Sequence, residues 1–491
     1  MKDHIIICGL GHVGFRTFEI LHQAKQNITV IAENAPAEWS LLVEESGSIF
    51  INGDARSDML LNEANIKSAK AILVLTNHDM VNVSIIMDAR KLNPTIKIIA
   101  RMLDTKLGKH IADAYQVHQV FSPTELAAPI FLTRIYDSNA LAEFTIGGHG
   151  FILSEEPDTH NMNATNVIAE LNGAKLVAKS SVKHKKLLSK ITSFSQKINY
   201  LRSPIFANFR RFLLVLISVI FFASLFLMWS MKLSFPNALY FVTTTVTTVG
   251  YGDFNFSHSS TWLKMFGCLL MLSGGAALAV LFSSITEIIL SQKLPTILGG
   301  RPLPRKNHII VVGTGHMGDR LVNDLIAEKF SIVIIEDRAG EGHYSETIKR
   351  QVALIQGDPR SMQTLMRAHV KTARAIIVIT DDDVENLSVS LSAKQLNSNI
   401  INIVEVFNSQ LAERLQKALS LNRVMSISAI TAPYFAAAVF GNNILLALRW
   451  KNHLVYLSKK QNNELDKSNN IADQLLQLEI NSIPLSSTSI E

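Results

Sequence analysis

The chain has 491 residues, of which 48% are hydrophobic and 18% charged, and its formal net charge is +6. That length sets a prior of about three domains, and a mean hydropathy of +0.21, with the apolar residues gathered in runs, points to a membrane protein with large soluble parts. The modest charge reads as membrane-flanking lysine and arginine and argues against nucleic-acid binding, while only two cysteines, Cys8 and Cys268, argue against a disulfide framework or a Cys-rich metal site.

Met1-Lys2-Asp3-His4 lacks the apolar core and small-residue cleavage site of a signal peptide, so the first domain is expected in the cytoplasm. Residues 5–8 form a short continuous apolar run, the pattern of a buried parallel strand. The run enters Gly9-Leu10-Gly11-His12-Val13-Gly14 and then a helical pattern with Phe18 and Leu21 inward. A second strand, 28–32, ends at Glu33. Glycines at these spacings permit a tight turn and close approach of a phosphate, and the helix N-terminus offers N–H groups to an anion. Glu33 lies where a carboxylate accepts from ribose hydroxyls. Gly53-Asp54-Ala55 follows, then a strand at 71–75 ending at Thr76, a helix from near Asp79, and a strand at 97–100 ending at Arg101. Strand and helix in alternation predict a doubly wound sheet with right-handed crossovers.

Residues 179–211 are basic, with Lys183, Lys185, Lys186, Lys190, Lys197, Arg202, Arg210 and Arg211. Directly before a span they act as a positive-inside signal and an anchor for anionic lipid heads. Residues 212–231 carry no charge and suffice to cross the hydrocarbon core, and 265–286 is a second such run. Between them an apolar pore-helix candidate, 235–244, leads into Thr248-Val249-Gly250-Tyr251-Gly252 and Asp253. A dehydrating K⁺ needs a cage of oxygens, which carbonyls from several copies of a short loop supply, with a threonine hydroxyl at the inner end. Pointing successive carbonyls one way requires backbone angles that suit Gly250 and Gly252. Val249 and Tyr251 are expected to turn away from the pore and hold the loop open, with Asp253 at the outer mouth. This string resembles the K⁺-channel signature, and the resemblance implies a tetramer, because one loop supplies a quarter of the cage. Two spans with a re-entrant loop return the chain to its starting side, so both flanking domains and both termini are expected in the cytoplasm, at the cell inner membrane.

Gly274-Gly275 interrupts the second span and has two readings, close helix packing or a gating hinge. Glu287 has two as well, snorkelling or bordering the pore. Pro295, Gly299-Gly300, Pro302 and Pro304 mark a kinked linker. After it, the first 170 or so residues recur at an offset of 304: Gly9 with Gly313, Gly53 with Gly357, Thr76 with Thr380, Asn82 with Asn386, His149 with His453 and Asn166 with Asn470. Glu33 is paired with Glu336 at 303, which requires one deletion. Asp381-Asp382-Asp383 is either a divalent-cation ligand or a helix N-terminus where negative charge is favoured.

Across 4–172 and 308–476 the chain resembles the RCK domain (regulator of K⁺ conductance, TrkA-N-like) of prokaryotic two-transmembrane K⁺ channels and Trk/Ktr-type transporters. The resemblance implies an adenine nucleotide held by Gly9, Gly11, His12, Gly14, Glu33, Asp54 and Thr76. In the second copy it implies Gly313, Gly315, His316, Gly318, Glu336, Asp358 and Thr380. It also implies a homotetramer with an eight-RCK gating ring. Two departures stand out. One copy precedes the pore, and the stretch after each Rossmann-like core is short, so a separate C-terminal ligand lobe is expected to be missing or reduced.

The fold class expected is an α-helical membrane pore, two transmembrane helices plus a re-entrant pore loop, flanked by two α/β Rossmann-like doubly wound domains. The domains are 1–178, a basic linker at 179–211, the pore at 212–290 (helix 212–231, pore helix and filter 235–253, helix 263–290), a linker at 291–306, the second copy at 307–480 and a flexible tail at 481–491. The function expected is a K⁺-selective channel gated by nucleotide, not an enzyme. The regulatory ligand is NAD(H) first, then ATP, ADP or AMP, with K⁺ in the filter as the metal. The alternatives are a Trk/Ktr-type transporter, which carries several degenerate pore loops where this chain has one intact, and a membrane-bound NAD-dependent oxidoreductase, for which no substrate domain follows either core.

Overall fold

The computed structural model describes residues 3–146, 149–154, 167–171, 174–178, 204–297, 302–313, 315–337, 348, 351–407, 423–459 and 478–486. Most of the basic linker, Gly299-Gly300, Asn166, Asn470 and the last five residues fall outside them, as does the side chain of Glu287. The chain divides into two compact units, one joining Met1–Lys183 to Arg301–Glu491 and the other His184–Gly300.

In the first unit the apolar runs form β1 (Ile5–Cys8), β2 (Ile28–Ala32), β3 (Ile49–Asn52), β4 (Ala71–Val74), β5 (Lys97–Arg101) and β6 (Gln119–Phe121). They make one parallel sheet in the order β3-β2-β1-β4-β5-β6, the doubly wound arrangement whose strand order reverses beside β1. Every residue of β1, β2 and β4 is buried, as continuous apolar strands covered on both faces must be. The chain goes on into a small antiparallel sheet of β7 (Ala140–Ile146), β8 (His149–Ser154), β9 (Val167–Leu171) and β10 (Ala174–Ala178).

The second copy repeats this plan with β11 (Ile309–Val312), β12 (Ile332–Glu336), β13 (Ala353–Gln356), β14 (Ala375–Val378), β15 (Ile401–Glu405) and β16 (Arg423–Met425), in the order β13-β12-β11-β14-β15-β16. An antiparallel sheet of β17 (Ile444–Trp450), β18 (His453–Lys459) and β19 (Leu478–Pro484) follows. Among the described residues the lobe after each core is one small sheet. β19 corrects the expectation of a frayed tail from residue 481. Its residues pair with β18 from Lys459↔Leu478 to His453↔Pro484, Leu485 is buried, and Ser486 N donates to Gln23 O at 2.9 Å. β19 is an edge strand held along its length by β18 and at its end by the first copy.

The two copies exchange a helix. Ile427–Phe440, from the second copy, packs on His12–Gln23 of the first, and Pro123–Thr133, from the first, packs on His316–Ala327 of the second. Ile427–Phe440 is apolar nearly all round and almost wholly buried, the pattern of a helix with packing on every side. The exchange repeats in detail: Arg374 lies over the Tyr136 ring at 5.1 Å, and at the matching place Lys70 lies over the Phe440 ring at 5.7 Å. Lys97 Nζ donates to Gly441 O at 2.9 Å, just beyond the C-terminus of the exchanged helix.

The second unit holds three helices, Pro204–Met231, Phe235–Val246 and Thr261–Ile297. Arg211–Met231 and Thr261–Thr286 are long and apolar enough to cross a membrane. Phe235–Val246 lies between them and packs against both. Its Ala238, Phe241, Val242 and Val246 meet Leu227, Leu263 and Leu270 in one apolar cluster.

Candidate functional site

The loop after Phe235–Val246 closes the end of its own helix. The N–H groups of Val249 and Gly250 both donate to Thr244 O, at 3.0 and 3.1 Å, and Thr248 N donates to Thr245 O at 3.1 Å. These bonds turn the N–H side of the loop toward the helix C-terminus and satisfy a carbonyl there. Gly250 and Gly252 have φ of +50° and +85°, where a Cβ is costly, and Thr248 itself is held at +62°. A β-branched residue there carries strain of about 1–3 kcal/mol. The Tyr251 ring lies parallel to that of Tyr240 on the helix, 6.5 Å between centroids. Val249 and Tyr251 are exposed in the single chain.

The paired glycines of the second span differ from one another. A Cβ on Gly274 would fall 2.7 Å from Val246 Cα and 2.8 Å from its carbonyl oxygen, whereas one on Gly275 meets nothing within 4 Å. Gly274 therefore lies where helix packs closely on helix, the packing reading of the pair. Thr261–Ile297 is helical throughout.

In the first unit a cavity of about 1090 Å³ opens between the two copies. Gly9, Gly11, His12, Glu33, Asp54 and Thr76 line it from the first copy, and Gly315, His316, Asp381, Glu405 and Phe407 from the second. Gly9, at φ +99°, makes the tight turn. A Cβ on Gly14 would meet Gly9 O at 2.1 Å, and one on Gly11 would project into open space. The turn is thus packed beneath and open above, a cradle that fits a phosphate at the N-terminus of His12–Gln23. Thr76 sits where β4 ends and is fixed from below. Its Oγ1 donates to Asn82 Oδ1 at 2.6 Å, and Asn82 Nδ2 donates to Thr76 O and Arg101 O at 3.0 and 2.8 Å. Asn386 repeats this for Thr380 and Glu405. Each fully buried asparagine ties together two adjacent strand ends under a pocket rim.

Asp54 does not stand free toward a ligand. Its carboxylate binds Arg56, with Nη2 to Oδ2 at 2.6 Å, and the guanidinium holds its pKa below the usual carboxylate value. Arg360 holds Asp358 in the same way. Cys8, behind the turn, is buried and pushed up to about 12. Of the other second-copy candidates, Gly313, Gly318, Glu336, Asp358 and Thr380 are not among the residues lining the cavity.

Glu336 requires a correction. Ala32 pairs with Asn52 and Glu336 with Gln356, both at an offset of 304, so the ladder has no deletion. Glu336 is the counterpart of Ala32 and is 7% exposed, whereas Asp337 is the counterpart of Glu33 and is exposed like it. Glu33 acts electrostatically on Arg56, and Asp337 acts on Arg360 in the same manner. Asp337 is therefore the strand-end acid of the second copy.

Asp381-Asp382-Asp383 divides between two uses. Asp382 caps Asp383–Leu396 by accepting from Val384 N and Glu385 N, and Asp383 accepts from Phe407 N at 2.9 Å. Among the described residues no three His, Cys, Asp or Glu cluster as metal ligands. Sequence reasoning passed over Glu405, Phe407 and Trp39. The offset carried a signal for Glu405, because it stands 304 residues after Arg101 at the same strand end with the charge reversed.

The TrkA-N domain family model matches residues 5–123 and 309–427, and the ion channel family model matches residues 212–291. A probable potassium channel protein 2 of Methanocaldococcus jannaschii is 30% identical over 39% of this chain and 56% of its own length. The putative potassium channel protein YugO of Bacillus subtilis is 27% identical over 47% of this chain and 71% of its own. The chain thus spans 56% and 71% of the length of these two curated relatives. Among solved structures, the GsuK channel bound to NAD matches with a TM-score of 0.53 over 94% of this chain and 67% of that one, at 14% identity, a likeness of fold. These relatives are described as potassium channels and not as enzymes. Two matches to the TrkA-N model flank one match to the ion channel model in this chain, which is similar to potassium channel proteins.

Proposed function

We propose that the chain forms a K⁺-selective channel whose opening is set by a nucleotide bound between its two RCK copies. The observation that carries this reading is the loop from Thr248 to Gly252. It has left-handed backbone at Thr248, Gly250 and Gly252, follows a short apolar helix, and stands between two helices long enough to span a membrane. Irregular backbone at membrane depth is stable only where protein surrounds it. Four copies of the loop enclose a K⁺ site, so the assembly is a homotetramer in the cell inner membrane with both termini cytoplasmic and its RCK copies in an eight-membered ring. The filter residues are Thr248, Val249, Gly250, Tyr251 and Gly252. Gly275 is the hinge that remains. A ligand opens or closes such a pore only through its different affinity for the two states.

The nucleotide reading rests on the cradle at Gly9, Gly11 and His12, and on two residues that line the same cavity, Arg101 and Glu405. Arg101 Nε and Glu405 Oε1 have no hydrogen-bond partner among the described residues. A bound dinucleotide gives each a partner, and NAD is what the GsuK neighbour is described as binding. The nucleotide acts as effector, so no chemistry is carried out on it. K⁺ and Na⁺ flux into liposomes holding the purified protein tests the reading. K⁺ uptake that Na⁺ does not match supports it, and equal or absent flux of both removes it.

A further inference from the structure

The helix that carries the first glycine turn, His12–Gln23, is held by the second copy at three places. Phe407 stacks on His12 at its first residue, and the charge of Arg449 on β17 acts on Glu19 near its middle. The stretch that follows β19 takes its last carbonyl. Beyond the helix, Ala24 N, Lys25 N and Gln26 N donate to Ile20 O, His22 O and Leu21 O, at 2.8 to 3.0 Å. That turn leaves over Gln23 O, one of the carbonyls that a helix end does not satisfy within itself. Ser486 brings two donors to it, its backbone N at 2.9 Å and its Oγ at 3.1 Å.

Leu485, just before, is 5% exposed and shares an apolar cluster with Phe18 and Leu21 of the same helix. Its own N–H donates to Asn452 O at 2.8 Å, between β17 and β18. The segment is thus fastened to the second copy through its backbone and to the first through a buried side chain and a helix cap. The matching helix of the second copy, His316–Ala327, is met by another group: Tyr136 Oη of the first copy donates to Glu328 Oε2 at 3.1 Å, just past its end.

We propose, resting on the nucleotide reading above, that Leu485 and Ser486 form a strap that couples the seating of the second copy to nucleotide affinity at the glycine turn, about 18 Å away along one helix. A phosphate at the turn takes N–H groups of the first helical turn, and the strap takes a carbonyl of the last, so each complements one end of the same helix dipole. A helix already pinned at its C-terminal end has less freedom left to lose when the phosphate arrives. The nucleotide therefore binds the strapped form more tightly, and by linkage a bound nucleotide holds the strap more firmly.

The test is calorimetric titration of AMP and NAD⁺ into the full-length protein in detergent, into a chain stopped after Pro484, and into Ser486→Pro and Ser486→Ala. Ser486→Pro lacks the capping N–H and keeps Leu485, so it decides the matter where the stopped chain does not fold. Affinity is expected to fall about three- to tenfold in the stopped chain and in Ser486→Pro, and to stay within about twofold in Ser486→Ala, which keeps the N–H. In the wild type, hydrogen exchange over residues 478–486 should slow by a similar factor when nucleotide saturates, because the coupling is reciprocal. A strap that served stability alone would lower the melting temperature of Ser486→Pro and leave both of these readouts unmoved. Normal affinity in Ser486→Pro, or exchange over 478–486 that ignores nucleotide, overturns the proposal and leaves the nucleotide reading standing. Binding of neither AMP nor NAD⁺ to the wild type removes both.

Discussion

His12 of the first copy lies face to face with Phe407 of the second, their ring centroids 4.7 Å apart and their planes 20° from parallel. Trp39 meets the same imidazole edge-on at 5.1 Å and stacks on Phe15 at 4.9 Å. The glycine turn of one copy is thus joined to the strand-end loop of the other by an aromatic contact whose His12, Trp39 and Phe407 also line the cavity. A nucleotide entering there must displace or compress it. Nucleotide titration should change the intrinsic fluorescence, and Trp39→Phe should abolish that change although three other tryptophans remain among the four in the chain. An unaltered signal in the Trp39→Phe protein places the ligand elsewhere.

The same stack has a pH dependence. Burial lowers the His12 pKa from its ordinary 6.5, the charge of Asp383 acts against that, and Arg16 adds to it. The folded state therefore binds this proton more weakly than the unfolded chain. The stability it contributes is complete above 6.5 and is lost as pH falls through the lowered value. Acidification below 6.5 should reduce the melting temperature, and His12→Gln should flatten that part of the profile. Parallel profiles for the two proteins contradict this.

Ribose recognition separates the ladder register from the sequence pairing. Glu33→Gln removes a cavity carboxylate where a ribose hydroxyl would donate, at a cost of about 1.5–3 kcal/mol, or roughly ten- to a hundredfold in affinity, and Asp337→Asn does the same for a nucleotide held at the second copy's own turn, outside that cavity. Glu336→Gln should leave nucleotide affinity unchanged, because that side chain points into the protein. Isothermal titration distinguishes the three. Weaker binding in Glu336→Gln with normal binding in Asp337→Asn restores the original pairing.

That mispairing shows what was legible in the chain and what was not. β1 and β2 were readable to the residue, because four or five consecutive mostly apolar residues bounded by turn residues point to a buried strand. Glu336 was matched to Glu33 by identity, but only the hydrogen-bonded partner across the sheet fixes which of two adjacent acids faces out. β19 was missed because its partner β18 lies across residues 460–477, and alternation alone does not announce an edge strand. The exchanged helices were invisible for the same reason, since a helix apolar on all faces signals burial without saying against what. The left-handed loop at Thr248, Gly250 and Gly252 was legible because it is a matter of local backbone. The place of Glu405 was not, because the charges of Asp383 and Asp381 act on it only when two strand ends converge.

The two glycines of the second span should behave differently. Gly274→Ala drives a methyl into the Val246 backbone, where nothing flexible can yield, and should destabilise the pore unit by about 1–3 kcal/mol. Gly275→Ala points into open space and should leave assembly intact while lowering open probability. Gel filtration and single-channel records of both variants check this, and equal effects on assembly argue against the packing role of Gly274.

Single-channel recording of the reconstituted protein, with K⁺ and Na⁺ on opposite sides and NAD⁺ titrated onto the RCK face, tests the central claim most directly. The expected record is K⁺-selective unitary current whose open probability follows NAD⁺ concentration, with a dose–response curve displaced about ten- to a hundredfold in Glu33→Gln and selectivity lost in Gly250→Ala. Currents that do not distinguish K⁺ from Na⁺, or K⁺ currents indifferent to NAD⁺ in both the wild type and Glu33→Gln, contradict it.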